Sequence, residues 1–374
     1  MYVYPSLLHT FVEMYPSKST VSILIVGALC LWAACDVELN PSDSQTGIRL
    51  EHVRTIAIQE TDARYLGDFI TITVQNDPFR IYIPDSNMHR IAVLDSTGQI
   101  VRIFGQRGQG PGEFERPMHI VRVHDRLYVK EANRYSIFDT SGTFQRRLNL
   151  PEGVYDDGRW SLNHHGDQFF MAVVNRNEMT GLLPTSTDTP LATLNDSLDV
   201  LDFFGTFPEL YQNGHYPQWP DLDITTDGIL ALGFGVLPDV YLYDVSGSPP
   251  RLLRHIEGKH PSFRPINGEL PPGMPIPEKQ ERALNYSSTL SVSTPSDTLA
   301  VLHFVNRNPG YYDNIGSEEY VDHYAIVVSL TGKQKATLEL PGPIMDCDEK
   351  GRLYIRHSNI PDQRKIGVYR LTQQ

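Results

Sequence analysis

Cysteine is scarce, with three in 374 residues: Cys30, Cys35 and Cys347. Cys30 lies inside an apolar N-terminal run that reads as removable, and Cys35 stands at its end. Cys347 is then left alone, and no intramolecular disulfide is expected. By itself Cys347 reads as a small buried hydrophobe rather than a nucleophile. The apolar run at 21–34 is shorter than the about 20 residues a membrane-spanning helix needs. Positive charge is in deficit, with 32 Lys and Arg against 45 Asp and Glu and a formal charge of −13. That balance argues against nucleic acid or an anionic membrane surface as partner, since both call for a basic patch. No zinc spacing, nucleophile elbow, phosphate loop or dinucleotide fingerprint is present. The glycine-rich 105–112 lies between strand patterns rather than before a helix, so it reads as a linker.

What is abundant points to strands and turns. Tyr (19) and Phe (15) suit strands, while Gly (28) and Pro (27) supply turn punctuation. Lys18 followed by the run at 21–34 has the layout of a signal peptide. Its end, Leu31-Trp32-Ala33-Ala34-Cys35, resembles a bacterial lipobox, which implies diacylation of Cys35 after cleavage. Trp32 stands where that pattern prefers Leu, so ordinary cleavage and secretion stay open. Residues 1–34 are therefore expected to be a signal peptide, with Met14 an alternative start. Residues 35–46 are expected to be a polar tether reaching on the order of 20 Å. Residues 47–374 are expected to form one domain.

Two short patterns repeat. Apolar residues followed by a turn closing on glycine end at Gly98, Gly142, Gly247 and Gly332, spacings that divide into units of roughly 42–53 residues. That is the length of a four-stranded propeller blade. A tight turn followed by an apolar strand begins near Arg80, Arg126, Gln168, Gly228, Thr298 and Arg352, which predicts six blades. The stretch 81–120 (IYIPDSNMHRIAVLDSTGQIVRIFGQRGQGPGEFERPMHI) resembles an NHL repeat, with departures at Met88 and in the shortened second copy around Arg134-Tyr135. The fold is thus expected to be an all-β, six-bladed propeller of four-stranded blades. Blade six runs out of chain one strand short, and 47–58 is an unassigned alternating strand. It is predicted to close the ring as the outermost strand of blade six.

Alternating strand directions sort the loops onto two faces. Short turns fall on one, and the long segments 176–184, 258–285 and 306–320 fall on the other. Long loops in a compact domain are usually functional or disordered, and their grouping marks the second face as the working one. There Arg176 and Arg307 could hold a carboxylate bidentately, against the blander reading of solvated arginines beside turn-forming asparagines. Tyr311, Tyr312 and Trp219 could stack on a sugar or peptide, or merely pack against the rim. Asp68, His119, Asp221 and Asn285 stand near the starts of first strands. They could converge on Ca²⁺ at the channel mouth, as in lactonase-type six-bladed propellers, although no sequence motif specific to those enzymes is present. His164 and His165 are adjacent on a strand and point oppositely, so they cannot readily share a metal.

The favoured expectation is a monomeric, lipid-anchored binding protein of the bacterial cell envelope, facing the periplasm or the exterior. Its long-loop face would engage a peptide, glycan or protein, with no nucleic acid and no required cofactor. The membrane would be touched through the N-terminal lipid alone. The alternatives are a Ca²⁺-dependent lactonase or lyase at the channel mouth, and a structural scaffold of an envelope complex.

Overall fold

A computed structural model describes residues 47–132, 134–150, 154–156, 162–175, 189–212, 216, 219–271, 273–314 and 317–373, with backbone alone for 154–156 and 174–175. The chain enters on β1 (Ile48–Ala57) and then lays down antiparallel sheets in succession. Blade one is β2 (Thr73–Asn76), β3 (Phe79–Asp85), β4 (Arg90–Leu94) and β5 (Ile100–Phe104). Blade two is β6 (His119–Val123), β7 (Arg126–Glu131), β8 (Arg134–Asp139) and β9 (Phe144–Asn149). Blade three holds β10 (Val154–Asp156), β11 (Leu162–His165), β12 (Gln168–Asn175), β13 (Leu191–Leu194) and β14 (Val200–Phe204). Blade four is β15 (Asp221–Ile224), β16 (Ile229–Gly233), β17 (Val240–Asp244) and β18 (Arg251–Ile256). Blade five is β19 (Ser288–Ser296), β20 (Leu299–Arg307), β21 (Val321–Ser329) and β22 (Lys333–Leu340). Blade six is β23 (Ile344–Cys347), β24 (Arg352–Ser358) and β25 (Lys365–Gln373), completed by β1. The helices among the described residues are short: α1 (Glu209–Gln212), α2 (Ile276–Ala283) and a 3-10 turn at Glu318–Tyr320.

The first strands touch one another in a closed cycle, β2 to β6, β11, β15, β19, β23 and back to β2. This is a six-bladed β-propeller. The predicted closure is observed: β1 pairs antiparallel with β25 from Ile48 opposite Gln373 to Ala57 opposite Lys365. The six apolar strand starts read from the sequence are the six second strands. The four glycine-closed turns join third to fourth strands.

The burial pattern explains the local sequences. Second strands lie between two neighbouring blades, so they are apolar on both sides. Leu353, Tyr354 and Ile355 of β24 are all fully buried. Outer strands face solvent, and β18 (RLLRHI) is exposed over its first five residues. The core divides into six apolar clusters, one at each blade interface. Each fully buried Leu, Ile or Phe contributes roughly 1.5–3 kcal/mol. Ile56 of β1 packs with Ile81 and Ile83 of blade one and Ile366 of blade six, so the closing strand joins a core rather than capping an edge.

Blade three departs from four strands. β12 is eight residues long and β11 only four. The upper inner edge of β12 would therefore lack a partner, and β10 pairs there, from Val154 opposite Asn175 to Asp156 opposite Val173.

Candidate functional site

The six first strands wall a central cavity of about 290 Å³. Each is paired with its second strand along one edge only, so its other edge turns backbone groups towards the channel. Side chains from the adjoining blade take up many of these groups. Asp346 accepts the Val74 N–H at 2.7 Å, and Asp221 accepts the Val292 N–H at 2.8 Å. Asp223 accepts from the N–H and the hydroxyl of Thr294 at 2.7 and 2.9 Å. Thr73 donates to the Ile120 carbonyl at 2.5 Å, and Asn163 donates to the Leu222 carbonyl at 2.7 Å. These contacts tie blade to blade at the hub.

Low solvation shifts the ionisation of this wall. Burial pushes the Asp346 carboxyl well above the usual carboxylate range, the nearby Asp223 and Asp348 add to the rise, and the Val74 amide only partly opposes it. Asp223 is raised by burial as well, against the pull of its Thr294 bonds. His119 is held neutral, pushed down to about 3 by burial and by the Lys130 charge. Burial pushes the Cys347 thiol well up, which suits a packing role and not a thiolate nucleophile.

The four candidate channel-mouth residues separate. His119 and Asp221 line the cavity, whereas Asp68 and Asn285 do not. Asp68 accepts from Asn359 Nδ2 at 2.5 Å, in the connection before blade one. Asn285 is exposed at the end of α2 and donates to the Glu281 carbonyl at 3.1 Å. Among the described residues no group of three or more His, Cys, Asp or Glu side chains is placed to hold a metal ion. The four candidates therefore do not converge on one Ca²⁺. Asp223 and Asp346 were not singled out from sequence. The alternation Asp221-Leu222-Asp223 was the available signal, since residues two apart on a strand share a face.

The other face is built from the long connections. Arg264, in the connection between blades four and five, donates to the carbonyls of Leu284 at 3.1 Å and Arg307 at 3.4 Å. Its backbone N–H donates to the Ser287 hydroxyl, and its carbonyl accepts the Ser287 N–H, both at 2.8 Å. Asn306 receives the Ser287 hydroxyl at 2.6 Å and donates to the Ser262 carbonyl at 2.8 Å. Asp85 and Glu131 do the same at the ends of β3 and β7, accepting amides of Gly67 and Glu115 from the preceding connections. A polar residue at the end of the second strand is thus a recurrent clamp on the segment that precedes its own blade.

Arg307 takes part in that scaffold. It is 9% exposed, donates to the Ser288 hydroxyl at 2.7 Å, and its guanidinium lies 5.4 Å from the Tyr311 ring centre. Tyr311 and Tyr312 meet edge to face at 5.0 Å, and Tyr312 packs on the cluster that holds Tyr211 and Tyr286. Trp219 is partly buried just before β15, with a positive φ of 29°. Arg176 and the insertion at 176–184 lie outside the described residues, as do Cys35 and the leader.

Exposed large apolar side chains are unevenly placed. Apart from those on outermost strands, the described ones are Tyr65, Ile70, Ile276 and Ile360, and all four belong to connections of the long-loop face. None of the described short turns carries one.

No protein-family model matches the chain, and no curated protein does. Among solved structures, a member of the DUF4221 family from Bacteroides vulgatus superposes with a TM-score of 0.65 at 14% identity. The match covers 88% of this chain and 100% of that one. A protein described as exported from Bacteroides fragilis superposes with a TM-score of 0.55 at 10% identity, covering 90% of this chain and 98% of its own. A streptogramin B lyase reaches a TM-score of 0.43 at 11% identity, too low to bear on chemistry. These likenesses are of fold, and they place the six-bladed ring beside structures of Bacteroides proteins, one of them exported.

Proposed function

We propose that this chain is an exported, lipid-anchored β-propeller that binds a peptide, glycan or protein partner on its long-loop face. The observation that carries the reading is the placing of Tyr65, Ile70, Ile276 and Ile360 in connections of that face. Exposed apolar side chains confined to one face offer a partner apolar surface to bury. The ordered clamps around Arg264, Asn306 and Ser287 support it too, because a preorganised surface loses less entropy on binding.

Export is supported by the leader-like N-terminus and by the exported structural neighbour. No helix among the described residues is long and apolar enough to cross a membrane. The NHL-like stretch at 81–120 is scaffold in this reading, since its Asp85 clamps the connection at Gly67 and Asp68. β1 begins on the short-turn face, so an acyl anchor at Cys35 would leave the long-loop face directed away from the bilayer.

Globomycin-sensitive processing in a bacterial host, abolished by Cys35→Ser, tests the anchor. Binding of the purified chain to peptide and glycan arrays tests the face. Loss of signal in Ile276→Asp and Ile360→Asp variants is expected. Arrays that stay blank for the wild type would move the account towards an envelope scaffold.

A further inference from the structure

Ser291, on the channel wall in β19, is the inner end of a hydrogen-bonded chain that runs outward through blade five. Its Oγ lies 3.3 Å from His303 Nδ1. His303 Nε2 lies 3.0 Å from His323 Nδ1, and His323 Nε2 lies 2.9 Å from Glu318 Oε2. The second Glu318 oxygen accepts from Arg356 at 2.5 Å. Register builds the row: Ser291 pairs with His303, His303 pairs with Ala325, and His323 is two residues from Ala325 and so on the same face.

The protons in this row have one consistent arrangement. Burial alone would raise Glu318, but the His323 hydrogen bond and the Arg356 charge outweigh it and hold its carboxyl down at about 2. Glu318 is therefore a carboxylate that accepts the His323 Nε2–H. His323 Nδ1 then accepts from His303 Nε2–H, which leaves the His303 Nδ1 lone pair facing the Ser291 hydroxyl. His303 is fully buried, and burial with the neighbouring His323 pushes its pKa well below the ordinary histidine value, so it rests neutral, with its Nε2–H placed to hand a proton on to His323 beside Glu318. Ser291 is half-buried and is one of the residues that line the channel.

We propose that Ser291 is a nucleophile, with His303 as its base and His323 and Glu318 as positioning residues, and that the channel hydrolyses small uncharged carboxylic esters. Ser291 Oγ attacks the ester carbonyl carbon while its proton passes to His303 Nδ1. The tetrahedral adduct then expels the alcohol, which leaves carrying the proton returned by His303. Water attacks the acyl-serine in the same way, giving the carboxylic acid and free Ser291. Asp346, whose carboxyl burial raises well above the usual range, lines the same cavity. The cavity's about 290 Å³ admits a small ester, and its Glu349 and Asp348 carboxylates are paired with Arg122 and Arg352, which suits an uncharged substrate. This activity is independent of binding on the long-loop face.

The test treats the full chain with a fluorophosphonate probe, maps the adduct by mass spectrometry, and follows p-nitrophenyl acetate hydrolysis in parallel. The expected result is label on Ser291 and ester turnover, both abolished by Ser291→Ala and retained in Ser246→Ala, an exposed serine of the third-to-fourth turn of blade four. His323→Gln should lower kcat by roughly 100-fold with KM unchanged. Glu318→Gln, on a partly exposed turn, serves the same purpose if the buried histidine variant does not fold. A wild-type chain with no label on Ser291, or labelling and turnover unaffected by both relay variants, overturns the proposal.

Discussion

Glu60 and Arg364, 304 residues apart in sequence, form a buried ion pair in which Arg364 Nη1 lies 2.6 and 2.8 Å from the two carboxylate oxygens. Both side chains are less than 5% exposed. Glu60 also accepts the amides of Leu66 at 2.7 Å and Asp362 at 3.1 Å. The pair locks the segment after β1 to the loop between β24 and β25, at the seam where the ring closes. Removing one partner of a buried pair leaves an uncompensated charge and typically costs about 3–5 kcal/mol. Glu60→Ala is expected to lose about that much in a urea denaturation series, and a loss below about 1 kcal/mol would show that the pair does not hold the seam.

A second contact at the seam is steric. Gly98, in the last turn of blade one, has a φ of +86°, and a Cβ there would sit 2.0 Å from the Ala57 carbonyl oxygen of β1. Gly247 occupies the matching turn of blade four with nothing within 4 Å of an added Cβ. Gly98→Ala therefore faces a left-handed backbone penalty of about 1–2 kcal/mol plus displacement of β1. Gly247→Ala should stay within about 0.5 kcal/mol of wild type, as open surface positions do. Calorimetric comparison of the two variants isolates the effect of the closing strand.

Asp346 makes a pH prediction of definite sign. Its carboxyl is raised in the fold, so the folded protein prefers the neutral acid. In the unfolded chain that group ionises from about pH 4 upward. Its contribution therefore weakens as pH rises above about 4, at no more than about 1.4 kcal/mol per unit. Asp346→Asn imitates the neutral acid, and its stability relative to wild type should increase between pH 4 and pH 7. A difference that stays flat or falls over that window would contradict the assignment.

Much of the ring was legible in the sequence because each blade is a local unit. The second strands, flanked on both sides, are continuous apolar runs such as Leu127-Tyr128-Val129. The third-to-fourth turns carry glycines such as Gly142, with its φ of +85°. Even the linker at 105–112 could be placed, and Phe114 just after it is fully buried against Phe138. β10 was not legible, because it answers an unpaired edge on β12 that exists only once the blade is folded.

The site was harder to read for a related reason. Asp346 is explained by Val74, 272 positions away, and Asp221 by Val292, 71 away. Such pairs become neighbours only when the ring closes. Arg307 looked like a ligand group in a loop, but it ends β20 and donates to Ser288 of β19, while its neighbour Asn306 donates to Ser262 of the preceding connection. The alternation in β19 and β20 could have aligned Ser291 with His303. It could not have shown that one end opens on the channel.

The claim that the long-loop face is the binding surface is tested most directly by titrating one immobilised array-positive ligand with four proteins. These are wild type, Ile276→Asp, Ile360→Asp and the short-turn variant Lys350→Glu. Ile276 and Ile360 are 63% and 59% exposed, so their replacement should leave folding intact. The account predicts at least a roughly tenfold weaker Kd for each isoleucine variant, the loss of about 1.4 kcal/mol expected from one buried apolar contact, with Lys350→Glu unchanged. Unaltered affinity in both isoleucine variants, or loss confined to Lys350→Glu, would contradict it.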